Sequence, residues 1–169
     1  MADVFRSRLE WSGVRKGPTR DPLTFSRDLD LSFDAAMLPM SSAPMFRGDP
    51  LRVNPEQLFV GALSSCQALT FLFLCARKGI AVTGYSDDAE GTLEVEDGKM
   101  RMTHVTLRPH IMLETGASEI AARELVERAH AQCFIASSVC SHVTIEPRFE
   151  YADLQLAAHG AAAGVDETC

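Results

Sequence analysis

From Leu58 to Ala76 the chain carries no charged side chain, and Cys66 sits near the middle of that run. A helix of this composition is hydrophobic all round, so it either spans a membrane or forms the buried centre of a globular domain. Gly61, Ser64, Ser65, Gln67 and Thr70 interrupt the run, and its start has a cap typical of soluble helices. The buried-centre reading is therefore the expectation, with no membrane partner. Asn54 can cap, Pro55 suits the first helical position, and Gln57 completes a variant capping box. Arg77 and Lys78 suit the negative end of the dipole, and Gly79 supplies a stop. The spacing predicts a continuous helix of about 36 Å at about 1.5 Å per residue.

The flanking segments read as strands and a second helix. Phe5, Ser7, Leu9 and Trp11 alternate with charged residues, which predicts a first strand. Gly13 to Pro18 reads as a turn. Phe25, Leu29, Leu31 and Phe33 share one face of a second strand, and Arg27 falls on that apolar face. A charge there needs a partner or a task, because an unpaired buried charge is costly. Ala35 to Val53 reads as a loop rich in Pro, Ser and Met, a type that often serves function or an interface. Ile80 to Tyr85 is a short strand. Asp97-Gly98 is a hairpin signal between Gly91–Val95 and the Val105–Leu113 segment. Ser118 opens a second helix with the stripe Ala122, Leu125, Val126, Ala129 and Cys133. Val143 to Tyr151 is a last strand. Strands and helices in this order give an α+β fold, not alternating βαβ units. The expected organisation is one domain over residues 1–151 and a flexible tail over 152–169, with a short helix over 153–158. One small sheet cannot cover the first helix on all sides, which calls for a second chain.

Charge narrows the partners. A net charge of −7 with no basic block argues against nucleic acid. The N-terminus lacks a basic segment followed by an apolar one, so no signal peptide is expected. Five cysteines, an odd number, then point to reduced thiols in a cytoplasmic setting. Cys66 and Cys133 stand out, each in a helix-like context and far apart, as a redox pair that folding would have to assemble. A buried free cysteine is more often a small core hydrophobe. Cys75 reads as packing, and Cys140 as a spare thiol or an alternative resolver. His130, Cys133, Cys140 and His142 offer an alternative as a zinc site, although their spacing is irregular. A non-catalytic dimeric protein that binds a small ligand is another alternative. No cofactor or metal is expected under the redox reading.

Five segments together resemble the OsmC/Ohr family of thiol-dependent peroxidases. They are Phe46 to Leu58, Ala62-Leu-Ser-Ser-Cys66, Tyr85 to Gly91, Val105 to Pro109 and Ala129 to Val139. The resemblance covers most of the chain up to Tyr151. It implies curved antiparallel sheets around two central helices in an intertwined homodimer. It also implies reduction of organic hydroperoxides, reset by a dithiol or a lipoyl-type reductant. By position Cys66 matches the peroxidatic cysteine, Cys133 the resolving cysteine and Glu56 the catalytic glutamate. The catalytic arginine is assigned to Arg27, with Arg20 and then Arg47 as the other candidates. About 15 Å of straight helix separates Glu56 from Cys66. The expectation is that Glu56 pairs with the arginine and orients it toward the thiolate.

Overall fold

The computed structural model describes residues 2–152, so the tail expected over 152–169, with its short helix, lies almost wholly outside the described residues. The backbone contacts gather into two compact units, one through Phe59 and one from Val60 onward.

The first unit is a three-stranded antiparallel meander. β1 (Arg8–Glu10), β2 (Leu29–Phe33) and β3 (Ala36–Met40) lie side by side in that order. Leu9 faces Leu31, and Leu29 faces Met40. β1 is shorter than its alternating sequence predicts. The expected turn after it is a 3-10 segment, Ser12–Lys16, closed by Gly17 at φ 125°. Two further expectations are corrected here. The segment over 35–53 is not all loop, because β3 occupies its first part and a 3-10 turn, Pro44–Phe46, follows. Pro39 concealed the strand; it is tolerated because β3 is an edge, where a missing N–H costs no ladder bond. Arg27 is not in a strand, since β2 begins only at Leu29. Little of this unit is buried: Gly13, Asp28, Met40, Ser41 and Asn54.

α1 (Pro55–Lys78) has the predicted limits. Its capping box is reciprocal. The Gln57 N–H donates to Asn54 Oδ1 at 2.9 Å, and the Asn54 N–H donates to Gln57 Oε1 at 3.0 Å. Gly79, at φ 68°, closes the other end. There the Ile80 N–H donates to the Cys75 carbonyl and the Gly79 N–H to the Ala76 carbonyl, a Schellman closure.

The second unit holds two more three-stranded sheets. β4 (Val82–Asp87), β7 (Pro109–Leu113) and β9 (Arg148–Tyr151) form one in the order β4-β7-β9. β5 (Glu90–Glu96), β6 (Lys99–Leu107) and β8 (His142–Ile145) form the other in the order β5-β6-β8. The hairpin between β5 and β6 turns at Asp97 and Gly98, both at positive φ (51° and 75°) as a primed turn demands. The sheets are not purely antiparallel, because β6 pairs with β8 and β7 with β9 in parallel. The expected strands over 105–113 and 143–151 each break in two, before Pro109 and around Pro147, and each half joins a different sheet. A proline cannot donate to a ladder, so it marks the place where the chain changes sheets.

α2 (Glu119–Gln132) starts at Ser118, whose Oγ accepts from the Ala121 N–H. The predicted stripe Ala122, Leu125, Val126 and Ala129 is buried, as is Cys133. With Phe71, Leu74 and Cys75 of α1 and Ile111 and Leu113 of β7, that stripe makes the core. Full burial of a side chain such as Phe71 is worth about 1.5–3 kcal/mol. α1 is long and apolar enough to cross a membrane by length and composition alone. It nonetheless buries a stripe of Leu63, Gln67, Phe71, Leu74 and Cys75, while Leu69 and Phe73 face outward.

Candidate active site

Cys66 lies mid-helix on α1, partly exposed, and its carbonyl accepts from Thr70 Oγ1 at 2.8 Å. Cys133 is the C-cap of α2, where its N–H donates to the His130 carbonyl. The chain then turns sharply through Phe134 and Ile135 into a 3-10 segment, Ala136–Ser138. This turn folds back on the cysteine. The Ala136 N–H donates to Cys133 Sγ at 3.4 Å, and the Ser137 N–H donates to the Cys133 carbonyl at 3.1 Å.

The two thiols meet. Cys133 Sγ donates to Cys66 Sγ at 2.6 Å, although 67 positions separate them in sequence. A disulfide has an S–S distance of about 2.0 Å, so a small approach closes the bond. Burial, and then the hydrogen bond to Cys66, push the Cys133 thiol above its ordinary range, while the amides of Ala136 and Ile135 pull the other way. Cys133 is only 1 % exposed. Cys66 is the more accessible of the two sulfurs.

Two contacts hold α1 in the rotation that presents Cys66. Gln67 Nε2 donates to the Val126 carbonyl of α2 at 3.1 Å, from a side chain that is 2 % exposed. Ser64 Oγ donates to Asp87 Oδ2 at 2.5 Å, and Asp87 Oδ1 accepts from the Arg108 N–H. Neither support was singled out in the sequence. Asp87 does lie in the quoted segment Tyr85 to Gly91, which was the one signal available. Beside the pair runs an open groove of about 600 Å³, lined by Leu69, Thr70, Phe73, Ala131, Gln132, Phe134 and Ser137.

Cys75 is buried in the core and its thiol is pushed up to about 11 by desolvation, which makes it inert. Cys140 is exposed. Among the described residues no group of three or more His, Cys, Asp or Glu is placed to hold a metal ion. The zinc alternative built on His130, Cys133, Cys140 and His142 is therefore not supported, because Cys133 turns toward Cys66 instead.

The remaining candidates lie in the first unit. Arg27 Nη1 donates to the Phe25 carbonyl and Nη2 to the Pro22 carbonyl, with the guanidinium 4.3 Å from the Phe25 ring centroid. It lines a cavity of about 550 Å³ with Trp11, Phe25, Leu29, Met45, Phe46 and Arg47. Arg47 stands at φ 64°, in the left-handed region. Arg20 lies in an exposed turn and is not among the cavity's lining residues. The expected Glu56–arginine pair is not formed: Glu56 Oε2 is buried and has no hydrogen-bond partner among the described residues. Two of the Arg27 donors go instead to the backbone carbonyls of Phe25 and Pro22.

A family model described as OsmC-like protein matches residues 48–148. An OsmC-like protein of unknown function from Vibrio cholerae has a similar structure at 31 % identity. The match covers 87 % of this chain and 100 % of that one, with a TM-score of 0.78. An organic hydroperoxide resistance protein OsmC from Legionella pneumophila shares the fold at 18 % identity, with 88 % and 98 % covered and a TM-score of 0.63. An uncharacterised Bacillus subtilis protein, YmaD, is 24 % identical over 96 residues, which are 55 % of this chain and 64 % of that one. The chain thus spans slightly under two thirds of that relative's length.

Proposed function

Because the chain belongs to the OsmC-like family, we propose that it is a thiol-dependent peroxidase that reduces organic hydroperoxides. The observation that carries this reading is the contact between Cys66 and Cys133, 2.6 Å apart at the meeting of two helices. Two core-filling cysteines would not need to touch, and a metal pair would need further ligands. The hydroperoxide-resistance names of the Legionella pneumophila and Elizabethkingia anophelis proteins of the same fold lend the substrate class.

The cycle has three steps. The Cys66 thiolate attacks the distal oxygen of ROOH; the O–O bond breaks, ROH leaves, and Cys66 becomes a sulfenic acid. Cys133 Sγ then attacks that sulfur, a water molecule leaves, and a disulfide joins the two residues. A dithiol, or a lipoyl-type carrier, takes over the disulfide and restores both thiols. Arg27 is proposed to hold the peroxide and Glu56 to orient the arginine, with Arg20 and Arg47 as the other candidates for the same task. The protein acts as a homodimer in the cytoplasm, and the outward apolar residues of α1, Leu69 and Phe73, favour a second copy. No cofactor or metal enters the cycle.

The test is consumption of cumene hydroperoxide with a dithiol reductant by wild type, Cys66→Ser, Cys133→Ser, Arg27→Ala and Glu56→Gln. Turnover by wild type and none by Cys66→Ser is expected. Losses of about 10² or more in Arg27→Ala would fit its assignment, since removing a group that stabilises transition-state charge costs about 10²–10³. A non-catalytic ligand-binding role draws support from the cavity around Trp11. It predicts ligand-dependent quenching of Trp11 with no peroxide consumed.

A further inference from the structure

The two sulfurs are not equivalent, and the difference bears on how the disulfide is reopened. A thiolate must approach a disulfide sulfur along the S–S axis, so access decides which sulfur is attacked. Cys66 is partly exposed on the flank of α1. Cys133 is 1 % exposed and lies under its own turn, with the Ala136 N–H aimed at Sγ from 3.4 Å. Phe134 and Ser137 of that turn, with Thr70 of α1, line the groove beside the pair.

We propose that the disulfide is reopened in one direction only, the incoming thiolate attacking Cys66 Sγ and Cys133 leaving as a thiolate onto the Ala136 N–H. The proposal rests on the thiol cycle above for the existence of the disulfide. The S–S electron pair departs with Cys133 Sγ, while a new S–S bond joins the reductant to Cys66. The second thiol of the reductant then attacks the first, closes its own disulfide and frees Cys66. The two protons of the dithiol end on Cys133 and Cys66. Chemistry alone favours the reverse order, because a leaving thiol with a raised pKa departs more slowly. Two features offset this. The Ala136 N–H points at Cys133 Sγ from 3.4 Å and is placed to receive the departing thiolate. At 1 % exposure, Cys133 also offers an incoming thiolate far less access than the partly exposed Cys66.

The test uses the full chain carrying Cys140→Ser and Cys169→Ser, oxidised with diamide so that the disulfide does not depend on peroxidase activity. The oxidised protein is mixed with excess 2-mercaptoethanol, quenched in acid over a time course, blocked with N-ethylmaleimide and peptide-mapped. The expected result is mercaptoethanol on Cys66 and maleimide on Cys133. Mercaptoethanol on Cys133, or equally on both, overturns the proposal. A second measurement covers the case in which the adduct does not accumulate. Cys133→Ser and Cys66→Ser chains, each also carrying Cys140→Ser and Cys169→Ser, are loaded with thionitrobenzoate on the remaining cysteine of the pair, and release by dithiothreitol is timed. Release from Cys66 at least tenfold faster, or failure of Cys133 to load, supports the directional path; equal rates overturn it. A diamide-treated chain that forms no Cys66–Cys133 disulfide also overturns it. Peroxide consumption, measured separately, reports on the peroxidase reading itself.

Discussion

Gln67 offers a sharp test of how α1 is held against α2. Its side chain is 2 % exposed; Nε2 donates to the Val126 carbonyl, while Oε1 is buried with no partner among the described residues. Gln67→Leu keeps nearly the same volume. It gives up one neutral hydrogen bond, worth about 0.5–1.5 kcal/mol, and removes an unsatisfied buried acceptor that costs about 1–3 kcal/mol. The net expectation is a protein between unchanged and about 2 kcal/mol more stable. Gln67→Ala removes the same polar atoms but leaves a cavity, so it should fall about 2–5 kcal/mol below Gln67→Leu, the usual cost of a large aliphatic-to-alanine change in a core. Urea denaturation followed by circular dichroism, at one protein concentration, gives both values from the shift in midpoint at constant slope. A Gln67→Leu protein destabilised by more than about 2 kcal/mol would refute the reasoning, since that loss exceeds one neutral hydrogen bond. It would mean that Oε1 has a partner.

Three further outcomes are expected. A Cβ on Gly48 would stand 1.5 Å from the Ser42 carbonyl oxygen, so Gly48→Ala should lose at least about 1–3 kcal/mol, read as a lowered Tm; an unchanged Tm would contradict the closeness of that loop. Cys75, its thiol pushed up to about 11, should resist iodoacetamide at mildly alkaline pH while Cys140 reacts, as peptide mapping will show. The hydrogen bond from Lys16 Nζ, 2.9 Å from Asp28 Oδ2, and the nearby Arg52 hold the Asp28 carboxyl below its usual 3.8. A depressed folded value means that this stabilisation is complete well above 3.8 and is lost as pH falls below it toward the lower folded value. Asp28→Asn should therefore flatten the acid limb of an unfolding titration, and an unchanged limb would refute the pairing.

The parts of this fold that were legible in the sequence are those set by neighbours along the chain. α1 could be bounded because Asn54, Gln57 and Gly79 act within one turn of its ends, and α2 because Ser118 caps it and its stripe repeats with helical period. The hairpin at Asp97-Gly98 was equally local. What escaped depends on distant partners or on exceptions to a pattern. β3 was hidden by Pro39, which only an edge position tolerates. The parallel pairing of β6 with β8 joins segments some forty residues apart, and no local signal announces it. Pro109 and Pro147 were visible as breaks, yet the alternation on either side read through them. Arg27 was drawn into a strand by that same alternation, whereas its guanidinium folds back on Pro22 and Phe25. Composition marked Cys66 and Cys133 as a candidate pair, and only the resemblance gave them roles. Their contact depends on α2 returning to α1, where Gln67 also meets the Val126 carbonyl.

The most direct test of the central claim is a single turnover without reductant. Fully reduced protein receives one equivalent of cumene hydroperoxide, and the product is alkylated and mapped by mass spectrometry. The account predicts one disulfide, Cys66 to Cys133, with cumyl alcohol released in equal amount. It also predicts that Cys133→Ser stops at a Cys66 sulfenic acid after one equivalent and goes on to sulfinic acid when a second equivalent of hydroperoxide is added. Unreacted hydroperoxide with both thiols still alkylated, or oxidation confined to Cys140, would contradict it.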